Sequence, residues 1–268
     1  MGSEMCIRDR YNLVRNNDGQ SLHGGNKGLD RIVWNVDRVT DNEVAFSYMS
    51  PDGEEGYPGT VVFKVVYMLT SDNELKITYN AVTDKPTVVN LSCHAFFNLK
   101  GAGNGTVDDH ILTINSSRIT PVDSFLIPTG ERVPVEGTPF DFRVPTAIGA
   151  RLDQDNEQLR FGKGYDHNWI IDKKIEGVEQ IASVYEPTLG RYMEVWSDQP
   201  GLQFYGGNFF NGKVKDKYGK PMRFREAIAL ETQKFPDSPN HPDFPTTRLN
   251  PGEVYVHTCI YKFMTKNE

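Results

Sequence analysis

The chain has 268 residues, of which 38% are hydrophobic and 11% aromatic, enough for a packed core, and 24 glycines with 16 prolines supply turns for many short strands. A net charge of −7 excludes an extended phosphate-binding surface, which needs clustered lysine and arginine, so nucleic acid is not an expected partner. Three cysteines, Cys6, Cys93 and Cys259, without Cys-x-x-Cys spacing indicate neither a disulfide framework nor a zinc site, and no apolar run approaches the ~20 residues of a membrane span.

Residues 1–10 lack the apolar core of a signal peptide and any pattern joining them to the rest of the chain, so they are expected to be an unrelated leader or scar. Residues 11–268 are expected to form a single domain. Asn16-Asn-Asp-Gly19 is a turn signal, and Leu22-His-Gly-Gly25 sets His23 beside two glycines. A strand at 44–48 and a Gly/Pro loop at 50–59 precede a hairpin, strands 60–69 and 75–82 about Ser71-Asp-Asn-Glu74. Residues 87–99 read as one strand, followed by a Gly-rich loop at 101–105, a strand at 111–115 and a Pro-punctuated segment at 121–145. Only 147–152 and 156–160 invite helix. Strands are expected again at 168–172, 181–185, 192–196, 202–205, 227–232 and 255–263, with no repeat, heptad or linker. The fold class is all-β, a large antiparallel β-sandwich.

Alternation within 87–99 puts Val89, Leu91, Cys93 and Ala95 on one side and Asn90, Ser92 and His94 on the other. Two later strands repeat the pattern: Leu202 and Phe204 oppose Gln203 and Tyr205, and Ile228 and Leu230 oppose Ala227, Ala229, Glu231 and Gln233. A sheet face carrying histidine, glutamine, glutamate, aromatic rings and small residues suits a polyhydroxylated ligand. Each residue also has a plainer reading. His94 could be a hydrogen-bonded packing residue, His23 a turn cap, and Asp166, in Gly162-Lys-Gly-Tyr-Asp-His-Asn168, an Asx-turn residue rather than a carboxylate gripping sugar hydroxyls. Glu231 sits beside Ala227 and Ala229, which leave room for a ligand. A metal at Asp166 and His167 has no second ligand pair to support it. No Gly-x-Ser-x-Gly elbow is present.

Seven motifs in register carry a resemblance. Leu22-His-Gly-Gly25, Asp52-Gly-Glu-Glu-Gly-Tyr-Pro-Gly59, His94 with Phe97-Asn-Leu99, Ile127-Pro-Thr-Gly130, Asp166-His-Asn168, Pro200-Gly-Leu-Gln-Phe-Tyr205 with Gly207-Asn208, and Leu230-Glu-Thr-Gln233 together resemble the aldose 1-epimerase (galactose mutarotase) family. The resemblance implies an antiparallel β-sandwich with the sugar site on an open sheet face. It also implies α/β interconversion of free hexoses such as galactose and glucose, with His94 as general acid and Glu231 as general base. By the same resemblance His23 bonds near the ring oxygen, Asp166 and Gln203 hold sugar hydroxyls, and no metal or redox cofactor takes part. Three departures accompany it: an upstream Asn-Arg pair usual in the family is absent before Tyr11, Ser-Cys-His-Ala-Phe stands where Thr-Asn-His-Ser-Tyr is frequent, and Gly206 replaces a frequent threonine. The competing expectations are a non-catalytic carbohydrate-binding sandwich and a glycoside hydrolase using Asp166 with Glu231. The expected compartment is the cytoplasm, with the periplasm second.

Overall fold

The structure is a computed structural model and describes residues 3–6 and 9–266. These residues form two compact units. One holds the described residues up to Ser71 with Leu75–Leu91 and Asp237–Thr258, and the other holds Asp72–Glu74, Ser92–Pro236 and 259–266.

In the first unit, strands Asn35–Val39, Glu43–Ser50, Val61–Leu69 and Glu74–Thr83 pair in sequence order as an antiparallel meander. The expected hairpin is present, turning at Asn73 with φ 59. Alternation decides which residues are buried: Phe63 lies opposite Ala81 and Val65 opposite Tyr79, and all four are buried. Thr87–Val88 pairs with Arg248–Leu249, and Ser3–Cys6 pairs with Asp9–Tyr11.

The second unit contains a six-stranded antiparallel sheet, in the order Val133–Pro134, Arg118–Thr120, Asp166–Ile170, Gly201–Tyr205, Ile228–Gln233, Phe96–Phe97. A second antiparallel ladder runs through Thr146–Ala147, Ile111–Ile114, Glu179–Glu186, Arg191–Ser197 and residues 259–265 of the strand Tyr255–Thr265. The two pack face to face. Phe97 meets the Tyr261 ring at 4.8 Å between centroids, and Tyr261 donates its hydroxyl hydrogen to the Leu230 carbonyl across the layers at 2.7 Å. Phe204 and Trp169, from adjacent strands, pack with Phe142 and Tyr165 in a fully buried aromatic cluster.

Three expectations are corrected. Residues 87–99 are not one strand: Thr87–Val88 and Phe96–Phe97 join different sheets, and the intervening backbone leaves regular β-structure. The strand expected from 168 begins at Asp166 instead, directly after Gly164, whose φ of +133 lets the chain turn into the sheet. The helix expected at 147–152 is a 3-10 turn at Ile148–Arg151, whereas that at 156–160 is an α-helix, Glu157–Gly162, capped by Asn156 accepting from the Gln158 and Leu159 amides. Among the described residues no helix is long and apolar enough to cross a membrane.

Phe204 is fully buried at the centre of the aromatic cluster. Phe204→Ala is expected to destabilise the protein by about 3–5 kcal/mol, read as a lowered urea midpoint with an unchanged slope.

Candidate active site

Three neighbouring strands of the six-stranded sheet build the site, and their register sets it out in rows. Asn168, Gln203 and Glu231 lie side by side across the sheet, and Asp166, Tyr205, Ala229 and Phe96 form the adjacent row. The alternate residues Trp169, Leu202, Phe204 and Leu230 face the core and are fully buried. Period-two alternation therefore sends Asp166, Asn168, Gln203, Tyr205 and Glu231 to one face.

On that face Gln203 Nε2 donates to Asp166 Oδ1 at 2.8 Å. Gln203 Oε1 and Asn168 Oδ1 are buried and find no donor among the described residues. His94 Nε2 stands 3.5 Å from Glu231 Oε1, with the imidazole about one-third exposed (35%) and the carboxyl group only 11% exposed. The antiparallel register that pairs Phe96 with Ala229, continued by two residues, sets His94 opposite Glu231. The ladder stops at Ala229, yet the two side chains still meet.

Burial, reinforced by the negative charge of Asp166, pushes the Glu231 carboxyl up to about 8, and burial pushes Asp166 up to about 6 against the opposing pull of its bond to Gln203. The buried Glu231 carboxyl therefore holds its proton far more tightly than an exposed glutamate does. His167 points to the opposite face, where it is wholly buried against Phe140 and pushed down to about 3. It is a neutral core histidine, and Asp166 and His167, adjacent in one strand, cannot share a ligand on one face.

An aromatic wall closes one end of the row. His94 lies 4.8 Å from Phe96 and 6.0 Å from Tyr205, and Phe96 lies 4.9 Å from Phe210. Phe209 stacks on Tyr205 at 6.2 Å, its amide donating to the Tyr205 hydroxyl, and Lys163 Nζ stands 5.4 Å from the Phe209 ring. Gly207 makes this bend possible: its φ is +72, and a Cβ there would lie 2.4 Å from the Ala227 carbonyl oxygen. Sequence reasoning singled out Tyr205 but missed Phe209 and Phe210. Their available signal was a pair of aromatics directly after a strand and its Gly-Gly-Asn turn.

The second unit thus brings together His94, Asp166, Gln203 and Glu231. His23, the fifth expected residue, belongs to the first unit, exposed in a turn with φ 52.

A family model described as aldose 1-epimerase matches residues 6–262. The chain belongs to the aldose 1-epimerase family. It is 44% identical over 253 residues to the galactose mutarotase of Bos taurus, covering 94% of this chain and 72% of that one, and 43% identical to that of Homo sapiens over the same shares. It is 38% identical to the aldose 1-epimerase of Escherichia coli K12, covering 91% of this chain and 70% of that one. Among solved structures, an aldose epimerase homologue from C. elegans superposes with a TM-score of 0.89 at 28% identity, covering 99% of this chain and 79% of that one. Galactose 1-epimerase from Lactobacillus acidophilus NCFM gives 0.86 at 28%, covering 99% and 76%. Membership makes this chain an isomerase acting at the anomeric carbon of an aldose.

The shifted carboxyl group makes folding stability depend on pH. An unfolded chain releases the Glu231 proton around its ordinary value of 4.5, whereas the folded chain holds it to about 8, so this contribution to stability is full below 4.5 and is lost as pH rises through 8. Relative to Glu231→Gln, the unmodified protein is expected to lose stability steadily between about pH 5 and about pH 9, measured as the difference between their urea midpoints.

Proposed function

We propose that this aldose 1-epimerase interconverts the α and β anomers of free hexoses such as galactose and glucose, with His94 as general acid and Glu231 as general base. The observation that carries the reading is the approach of His94 Nε2 to within 3.5 Å of Glu231 Oε1 on the sheet face that also carries Asp166 and Gln203. Galactose as substrate comes from the names of the mutarotase relatives.

Anomer interconversion needs the hemiacetal opened and reclosed. Glu231 takes the proton of the C1 hydroxyl, His94 gives a proton to the ring oxygen O5, and the C1–O5 bond breaks to leave an aldehyde. After rotation about C1–C2, O5 attacks the other face of the carbonyl. His94 takes back the O5 proton and Glu231 returns its own to the carbonyl oxygen. The pair ends as it began, carrying one proton between the two groups, so turnover requires no exchange with solvent and no further reagent.

General acid–base catalysis works best when a group's proton affinity lies near the operating pH. An ordinary carboxylate at 4.5 lies well below that range. Burial lifts the Glu231 carboxyl to about 8, close to the neutral range in which it can both take and return a proton. Asp166 and Gln203 supply acceptors and donors for the hydroxyls remote from C1. The rings of Phe96, Tyr205 and Phe210 offer apolar surface to the C–H face of the sugar.

Polarimetry of freshly dissolved α-galactose and α-glucose tests this. His94→Ala and Glu231→Gln are each expected to lower kcat by at least ~10²-fold, and Asp166→Asn to act mainly through KM. Because the active pair carries a single proton, kcat/KM should follow a bell-shaped pH profile, falling when both groups are protonated and when both are bare. Unmodified rates in either dyad variant would refute the assignment.

A further inference from the structure

The His94 segment runs beside the Glu231 strand without a ladder, and its position therefore needs another cause. The backbone pairing between Phe96–Phe97 and Ile228–Gln233 ends at Ala229, so the edge of the strand that carries Glu231 has no regular neighbour. Two carbonyls flank Glu231 there, those of Leu230 and Thr232. Ser92 Oγ donates to the Thr232 carbonyl at 3.0 Å, and Tyr261 Oη donates to the Leu230 carbonyl at 2.7 Å. The Cys93 sulfur is in hydrogen-bond contact with the same Tyr261 hydroxyl. The two residues immediately before His94 are thus tied to the strand on either side of Glu231, one directly and one through a buried tyrosine.

We propose that Ser92 is a positioning residue of the reaction, its hydroxyl bond to the Thr232 carbonyl setting the separation of His94 from Glu231, with Cys93 and Tyr261 as a second tie. The inference rests on the acid–base reading of those two side chains. A backbone ladder through residues 92–95 would serve as well to hold the strands together, but it would bind the backbone of His94 itself into the sheet. Side-chain ties two residues and one residue upstream hold the segment in register and leave the His94 backbone outside the ladder.

Kinetics on Ser92→Ala and Ser92→Thr test the proposal. Ser92→Ala is expected to lower kcat by about 10- to 100-fold, the cost of a misplaced reacting pair, while KM stays within about twofold. Ser92→Thr keeps the hydroxyl and is expected to restore kcat to within about twofold, a rescue that a filled volume alone would not give. In the Glu231→Gln background, Ser92→Ala should cost nothing more, because the distance it sets no longer matters. An unchanged kcat in folded Ser92→Ala, or equal losses in the alanine and threonine variants, overturns the positioning role while leaving the acid–base reading intact. Full activity in Glu231→Gln overturns the acid–base reading, and the positioning role with it.

Discussion

A carboxylic acid buried on a sheet face within reach of one imidazole is the constraint on which the rest of this structure depends. Removing Glu231 from water raises its proton affinity, and a nearby acidic group, Asp166, raises it further. In an ordinary core this would be a cost without return. In the proposed reaction the same cost serves the chemistry, because it brings the carboxyl group close to the neutral range in which it can both take and return a proton. The desolvation therefore belongs to the chemistry, and the surrounding strands have to keep the carboxyl group where water reaches it least.

The fold meets that demand by dividing its residues two ways. Along Gly201–Tyr205 and Ile228–Gln233, one side chain enters the aromatic core and the next enters the site, so rigidity and function come from the same strands without competing for positions. A one-residue slip of either strand would exchange the two sets, sending Phe204 to the sugar face and Gln203 into the core. The buried face therefore defines the register, and the register in turn fixes the row that holds Asn168, Gln203 and Glu231.

How far this was legible in the sequence followed from the same alternation. Gln203, Tyr205 and Glu231 were readable because their strands are long enough to show a period of two, and that pattern is what exposes a polar residue facing away from the core. Phe96 and Phe97 joined a run that looked continuous back to Thr87, yet alternation says only which side a residue faces, not which partner it pairs with; the run serves two sheets. Asp166 was readable as a candidate but not as a strand residue, because Gly164 hides the start of the strand and the apolar signal begins only at Trp169. Ladders of two residues, such as Val133–Pro134 and Thr146–Ala147, carry no period at all. The lifted proton affinity of Glu231 could not be read from sequence, since it depends on what covers the carboxyl group in three dimensions.

The two members of the pair are held in different ways, and the proposed reaction gives a reason. Glu231 lies inside a strand whose residues from Ile228 to Thr232 are all buried, whereas His94 stands on a segment outside the ladder and is one-third exposed. During turnover the C1 end of the sugar must swing through a half-turn about C1–C2 while its remote hydroxyls stay bound. A site rigid everywhere would grip the aldehyde in one orientation and favour one anomer; a site loose everywhere would release it. In the proposed reaction, fixing the base and the remote hydroxyl partners on regular strands, while mounting the acid outside the ladder, confines the freedom to the end of the sugar that has to turn. The break in the 87–99 strand, a departure from ideal β-structure, is what sets the proposed acid outside the regular sheet while the proposed base lies within it.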